Sequence, residues 1–301
     1  MPRQPKPDLP LREGVGASIV FCPPGPWATA ADFLDARLPR VCDWQARIAR
    51  GDVVRADGQA LLPGAPHAAG QRLFYWRHQP SEPELPGAEA LLFQDEHLVV
   101  AYKPHFLPVT PGGLYVQQTL LTRLRRATGI AALSPLHRLD RETAGLVAFS
   151  VRVEERAAYQ NLFRDRQVEK FYDCTAADAP GPWPRWLHHR LVEPAGEGFM
   201  QMQVVAGEPN AETWVDRIEP LPGGLARYEL RPRTGLKHQL RAQMNAIGLP
   251  IQGDRIYPVL QPHEDPPRFE APLQLVARAL RFTDPFTRQP RTFDLVTMQP
   301  R

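Results

Sequence analysis

Cysteine is scarce in this chain of 301 residues: Cys22, Cys42 and Cys174 are widely spaced and form no Cys-x-x-Cys pair. That excludes a disulfide framework and a thiolate zinc site, and it fits a reducing cytoplasm. Long apolar runs are missing as well. No stretch approaches the roughly 20 apolar residues that carry a helix across a bilayer. The segment from Met1 to Glu13 is polar and broken by proline, without the apolar centre of a signal peptide. A soluble protein that stays inside the cell is expected. Strong charge of either sign is also lacking, since 36 Lys and Arg against 33 Asp and Glu leave a formal net charge of +3. So small a balance is compatible with a nucleic-acid partner without demanding one, and the placement of the basic residues has to decide. The pair His188-His189 has no Cys or carboxylate at ligand spacing, and neighbours on a strand face opposite ways, so no metal is expected there.

Proline, by contrast, is plentiful at 34 residues, concentrated in connections, which implies stiff loops. The apolar fraction of 43% supplies a full core, and the length suits one large domain with a small one. Residues 1–15 read as a flexible basic tail, 16–78 as a small module, 79–89 as a proline-rich acidic linker and 90–301 as the large domain. In the module, Phe33, Leu34 and Leu38 recur at helical spacing. Trp44 to Gly51 read as a short helix closed by that glycine, Val53 to Gln59 as a strand entering an Asp-Gly turn, and Gly70 to Arg77 as a second strand. This order resembles the small alpha-L RNA-binding domain. The likeness makes Arg40, Arg47, Arg50 and Arg55 candidates to follow a phosphate backbone.

The large domain carries many strands and few helices, hence an α+β fold on a largely antiparallel mixed sheet. Strands are expected over 91–95, 98–102, 146–149, 168–174, 200–205, 213–218 and 226–231. Helices are expected over 119–127, around Tyr159, and through Leu240, Met244 and Ile247, which form a core stripe. The densest motif is His137-Arg138-Leu139-Asp140-Arg141-Glu142-Thr143-Ala144-Gly145, a charged loop ending at an apolar strand. A rigid strand edge is a good place to hold a reactive carboxylate, although an isolated Arg-x-Asp is more often a structural ion pair. Lys170 and Tyr172 share one face of their strand. Lys237 and Arg241 stand at i, i+4; two cations so placed near a helix start suit a phosphate or carboxylate, unless they are simply a solvated face.

Taken in order, these segments resemble the RluA-type pseudouridine synthases. The likeness runs from Asp95–Pro104 through His137–Leu146, Val168–Tyr172, Thr234–Arg241 and Gly248–Tyr257 to Leu273–Phe282. It implies that Asp140 is the catalytic aspartate, that Tyr172 stacks on the uracil and takes part in proton removal, and that Arg241 pairs with the catalytic carboxylate. It places Arg138 as the residue that replaces the flipped base, with His137, Lys170 and Lys237 among the RNA contacts. The implied partner is structured RNA, ribosomal or transfer. No cofactor and no metal are implied, because the reaction is an isomerisation without donor, hydrolysis or net oxidation. The implied enzyme is a monomer. Departures at Tyr102, Phe106, Ala144, Leu236, Gln243 and Asn245 remove none of these groups. Two other readings stand beside this one: a non-catalytic RNA-binding factor on the same fold, and a glycosidase with Glu142 as the second carboxylate.

Overall fold

A computed structural model describes residues 9–39, 41, 43–77, 81–194, 201–262 and 269–299. The chain forms two compact units, one of Met1–Pro83 with Thr110–Ala131 and one of Glu84–Val109 with Ala132–Arg301.

In the first unit, strands β1 (Ser18–Phe21), β2 (Val53–Arg55) and β3 (Arg72–Tyr75) make an antiparallel sheet in the order β1-β3-β2. Helix α1 (Ala30–Arg37) starts at a capping box. The Thr29 hydroxyl accepts from the Asp32 N–H at 3.1 Å, and the Thr29 N–H donates to the Asp32 carboxylate at 2.9 Å. Helix α2 (Trp44–Ala49) adds Trp44 and Ile48 to a core with Phe33, Leu34, Val53, Leu73 and Tyr75. The helices and both expected strands of the module are present, while β1 had no counterpart among the sequence expectations.

Two domain expectations change. Residues 9–15 are held in place rather than forming a tail. Val15 is buried, Arg12 and Val15 exchange backbone hydrogen bonds of 3.0 and 2.8 Å, and the Trp76 indole N–H donates to the Pro10 carbonyl at 3.0 Å. The rest of that stretch, residues 1–8, lies outside the described residues, as does Arg40. Secondly, helix α3 (Leu120–Thr128) belongs to the first unit, not to the large domain. Arg125 donates to the Gly14 carbonyl at 3.4 Å, and Glu82, within the expected linker, accepts from the N–H groups of Val116, Gln117 and Gln118 at 2.8–3.0 Å. A carboxylate bound by three successive amides fixes the turn that leads into α3.

The second unit is built on an eleven-stranded mixed sheet. Its strands are β4 (Ala90–Gln94), β5 (Leu98–Lys103), β6 (Ser134–Pro135), β7 (Ala144–Ser150), β8 (Glu169–Ala177), β9 (Arg185–Val192), β10 (Gln203–Val205), β11 (Ala211–Leu221), β12 (Leu225–Pro232), β13 (Leu275–Thr283) and β14 (Pro290–Asp294). The path is β10-β9-β11-β12-β8-β13-β7-β5-β4, with β14 beside β13 and β6 beside β7. Only the β7–β13 pairing is parallel among the described strands. Every residue of β7 is buried, which explains its apolar run from Ala144 to Phe149. Helix α4 (Arg156–Arg164) buries Tyr159 in a cluster with Leu98, Leu146, Phe282 and Phe293. Helix α5 (Gln239–Ala246) buries Leu240 and Met244 against Cys174, Leu187, Val215 and Leu230.

The join of the charged loop to β7 is governed by Gly145. Its φ is +122°, and a Cβ there would lie 2.3 Å from the Ala277 carbonyl oxygen of β13. Only glycine permits that approach, so the start of β7 is pinned against its parallel neighbour.

Candidate active site

Asp140 lies in the loop between β6 and β7, where the Thr143 N–H donates to the Asp140 carbonyl at 3.1 Å to close a tight turn. The loop is tethered from beneath by Lys103, the last residue of β5. Its ammonium is fully buried and donates to the carbonyls of Pro104 at 2.9 Å, Leu107 at 2.8 Å and Arg141 at 3.0 Å. Burial pushes the Lys103 pKa down to about 7, against the opposing pull of Glu142 and Asp140.

Arg241 approaches the same loop from α5. The helix begins at Gln239, one residue after His238 adopts a left-handed φ of 50°. Gln239 secures that start: its side-chain amide oxygen, Oε1, accepts from the Thr234 hydroxyl at 2.7 Å and the Leu236 N–H at 3.1 Å. The Arg241 side chain, 1% exposed, is gripped by the fully buried Asp254 through Nε at 2.8 Å and Nη2 at 2.6 Å. The remaining nitrogen, Nη1, is buried with no hydrogen-bond partner; it faces the Asp140 carboxylate at 3.6 Å and Glu142 at 4.0 Å. Burial works against the guanidinium charge, but Asp254, with Asp140 and Glu142, outweighs it and raises the Arg241 pKa. Asp254 is itself held by the N–H groups of Ile256 at 2.8 Å and Tyr257 at 3.1 Å. It follows Gly253, whose φ of +73° and absent Cβ let the chain pass the Pro272 carbonyl.

Tyr172, on β8, packs at the border of the α5 core cluster, and burial followed by the Asp140 charge raises its pKa, keeping the phenol protonated. Lys170, two residues earlier on the same face, donates to the Thr234 carbonyl at 2.8 Å. Burial, reinforced by Arg166, lowers the Lys170 pKa to about 8. A cleft of about 110 Å³ opens between these groups, lined by Arg138, Asp140, Thr143, Lys170, Tyr172 and Arg241 among others. It joins a carboxylate, an aromatic ring and three cations in one recess. That set can hold a planar base beside a charged group.

Asp140, Tyr172, Arg241, Arg138 and Lys170, singled out from the sequence, therefore meet at one cleft. Arg138 is exposed and has no hydrogen-bond or ion-pair partner among the described residues. Four other candidates sit differently. His137 does not line the cleft: its ring stacks on Phe163 with centroids 4.7 Å apart, and its Nε2 accepts from the Ala148 N–H at 3.2 Å. Burial, with a smaller push from Lys170, lowers the His137 pKa to about 3, so the ring is neutral and serves to fix the loop on β7. Lys237 precedes α5 and pairs with Glu193, so it and Arg241 do not flank one anion on a helix face. Arg47 is buried and donates to the Trp76 carbonyl at 3.2 Å, and Arg50 pairs with Asp52 at 3.2 Å. Arg47 is thus engaged inside the first unit, whereas the Arg50 side chain stays exposed beside Asp52.

Glu142, the second carboxylate of the glycosidase reading, is held by Arg141 at 2.9 Å and does not line the cleft. Sequence reasoning gave no role to Asp254, His238 or Lys103. His238 stands 3.9 Å from the Asp140 carboxylate. The signal for Asp254 was present in Gly253-Asp254 followed by Ile256-Tyr257, a turn whose aspartate can cap its own following amides. Among the described residues no group of three His, Cys, Asp or Glu is placed to hold a metal, and no helix is long and apolar enough to cross a membrane.

A model of the RNA pseudouridylate synthase family matches residues 97–246. The dual-specificity RNA pseudouridine synthase RluA of Salmonella typhimurium is 31% identical over 228 residues, which cover 71% of this chain and 94% of that protein. An uncharacterized RNA pseudouridine synthase of Synechocystis, slr1592, is 31% identical over 227 residues, or 71% of this chain and 73% of its own. Among solved structures, human RNA pseudouridylate synthase domain containing 4 is similar with a TM-score of 0.53 and 27% identity, covering 68% of this chain and 87% of that one. Human RNA pseudouridylate synthase domain containing 1 shares the fold with a TM-score of 0.57 at 21% identity, over 73% of this chain and 92% of that one. With these relatives and a large, mostly antiparallel mixed sheet, the chain belongs to the RluA-type family of RNA pseudouridine synthases, isomerases that act on RNA.

Proposed function

We propose that this chain converts particular uridines of structured ribosomal or transfer RNA to pseudouridine, with Asp140 as the catalytic carboxylate and without cofactor or metal. The observation that carries the assignment is the buried Nη1 of Arg241, lacking a hydrogen-bond partner and facing Asp140 at 3.6 Å. A guanidinium held from behind by Asp254 supplies fixed positive charge beside one carboxylate at the cleft, at no reorganisation cost during reaction.

The reaction breaks the N1–C1′ bond of uridine, turns the uracil, and forms a C5–C1′ bond, while the C5 proton leaves and N1 gains one. The carboxylate of Asp140 acts on the sugar, either by attack at C1′ or by taking a sugar proton to give a glycal. Tyr172 supplies a ring face for the detached uracil and a neutral hydroxyl at its edge. The target base has to leave its stack to enter so narrow a cleft, and the exposed Arg138 is suited to fill the space it vacates. We further propose a cytoplasmic, monomeric enzyme.

Asp140→Ala is the direct test. Pseudouridine formation in RNA from a strain lacking the gene should be lost while RNA binding persists. Activity near the parent level would remove Asp140 from the mechanism. Mapping pseudouridine across total RNA of that strain beside its parent identifies the uridine concerned.

A further inference from the structure

Beyond the cleft, the second unit has an aromatic and cationic surface that the reaction does not use. The side chains of Leu187, Val215, Leu230 and Tyr172 belong to the core beneath α5. Their neighbours in sequence, Trp186, Trp214, Arg231 and Phe171, occupy the other face of the sheet, because successive residues of a strand alternate. Register sets them side by side: Trp186 pairs with Trp214, and Trp214 with Arg231. Arg231 reaches Phe171 in turn, its guanidinium 5.0 Å from that ring and 4.3 Å from the Trp214 ring. Arg281 lies 4.6 Å over Phe171, and Arg233 lies 4.5 Å over Trp186. With strands about 4.8 Å apart, this row crosses about 14 Å of sheet.

These residues line a concavity of about 650 Å³ that also takes in Lys170 and Pro232, both of which line the Asp140 cleft. The two recesses therefore adjoin at Lys170 and Pro232. Charge in the outer one is lopsided, with Arg166, Lys170, Arg231, Arg233 and Arg281 against the single carboxylate of Glu169. Arg231 pairs with Glu229, and Arg233 stands 3.7 Å from Glu212. The side chains of Arg281 and Arg166, however, have no hydrogen bond or ion pair among the described residues. Trp186 is 40% exposed, a high value for a tryptophan on a well-packed sheet.

We infer that this face is a binding strip for single-stranded RNA, which takes the unstacked nucleotides flanking the target uridine while that uridine occupies the Asp140 cleft. Trp186 is exposed and Trp214 half-buried, while Phe171 is buried and seats Arg231 and Arg281. An open tryptophan ring beside such arginines offers a π face to a base and charge to phosphates, the combination by which single strands are held without base-specific readout. The inference rests on the reading of this chain as an enzyme that modifies RNA. It deepens that reading by giving the substrate a requirement, an unpaired segment next to the modified site.

The test uses the full-length protein carrying Asp140→Asn, which separates binding from chemistry, and a fluorescent oligouridylate of about ten nucleotides as probe. Trp186→Ala should weaken binding roughly 5- to 100-fold, the range for loss of one base–aromatic stack. Arg281→Ala should reduce the slope of log affinity against log salt by about 0.7, the value for one neutralised phosphate on a single strand. A 4-thiouridine version of the probe should crosslink to the β9 or β11 segment that carries Trp186 or Trp214. Arg281 has no ion pair to lose, so its substitution decides the matter should Trp186→Ala fail to fold. Affinity and salt slope unchanged in both variants, or crosslinks confined to other segments, would overturn the inference. So would a polyglutamate peptide that binds as tightly as the probe and is weakened equally, since the face would then be a dock for acidic protein. Failure of Asp140→Ala to stop pseudouridine formation strikes the catalytic assignment instead, and leaves this binding result to stand or fall alone.

Discussion

Asp254 and Arg241 form a buried, two-pronged ion pair, at 2.8 and 2.6 Å, that points the third guanidinium nitrogen at Asp140. Neither partner is exposed, so the fork fixes the angle at which positive charge meets the carboxylate. Asp254 is a positioning residue in this arrangement. Asp254→Asn keeps an acceptor for Arg241 and removes the charge that holds it. We expect kcat to fall about 100-fold, as for small displacements of a catalytic group, with KM little changed. A steady-state assay that shows KM rising with kcat constant would refute the positioning role. Asp254→Ala leaves a buried cation without its main partner and should cost about 3–5 kcal/mol of stability.

Tyr172→Phe isolates the hydroxyl from the ring. Burial and the Asp140 charge keep this phenol protonated at neutral pH, so under the role proposed for Tyr172 the substitution keeps the ring and removes only a neutral hydroxyl. RNA affinity should stay within a few fold while single-turnover conversion slows by about 100-fold or more, the scale of removing a proton-transfer group. Collapse of binding with the chemical step intact would assign the hydroxyl to recognition.

Gly145→Ala is expected to be among the most damaging single substitutions in the second unit. The new Cβ would meet the Ala277 carbonyl at 2.3 Å, and the φ of +122° is one that alanine avoids. Backbone, not a movable side chain, stands in the way. A loss of about 2–4 kcal/mol in urea unfolding is expected, from strain and displacement of β13 together. A change below about 1 kcal/mol would mean that β7 and β13 separate easily.

Much of this architecture was legible in the sequence, for reasons that differ from element to element. β7 reads as a strand from its apolar run Leu146–Phe149, and α5 as a helix because Leu240, Met244 and Ile247 repeat at helical spacing. Asp140, Tyr172 and Arg241 stood in separate segments whose order resembled one family, and they do meet at one cleft. Other features depend on geometry that spacing does not encode. Lys237 looked like a helix partner of Arg241, but a left-handed His238 delays the helix until Gln239 and sends Lys237 to Glu193. His137 looked basic and available, yet it is a neutral ring seated against Phe163. Lys103 sits at the end of a strand, where a charged residue is ordinarily solvated, and only the fold shows three carbonyls closing around it. Helix α3 was expected over 119–127, but the unit it joins was not legible, because local pattern predicts a helix and not its tertiary partners.

The buried Lys103 also predicts a pH dependence. Its pKa is about 7 in the folded chain against an ordinary 10.5, so between those values the folded state binds fewer protons than the unfolded state. Stability should therefore rise as pH increases from about 7 toward about 10, and Lys170, lowered to about 8, adds in the same direction over the upper part of that range. Lys103→Met removes the first contribution and leaves three carbonyls without their donor, at about 1–3 kcal/mol for each one left unsatisfied. Urea midpoints from about pH 6.5 to 9.5 should climb more steeply for the parent than for Lys103→Met. Parallel curves would show that the buried amine does not titrate in this window.

The first unit is better tested by charge than by removal. Thr110–Ala131 belongs to it, so deleting residues 1–80 would strip α3 of the segments it is grouped with and confuse unfolding with weakened RNA binding. Arg47 is a poor probe for the same reason, being buried against Trp76. Arg50 and Arg55 are exposed, and their partners Asp52 and Asp57 lie 3.2 and 3.8 Å away in pairs that solvent screens. The double variant Arg50→Glu/Arg55→Glu should keep the fold. If the unit follows an RNA backbone, as its resemblance to an alpha-L domain implies, affinity for structured RNA falls and the slope of log affinity against log salt shrinks by about 0.9 for each duplex phosphate no longer neutralised. Binding and slope that match the parent would make the unit a structural cap, and would leave RNA capture to the second unit alone.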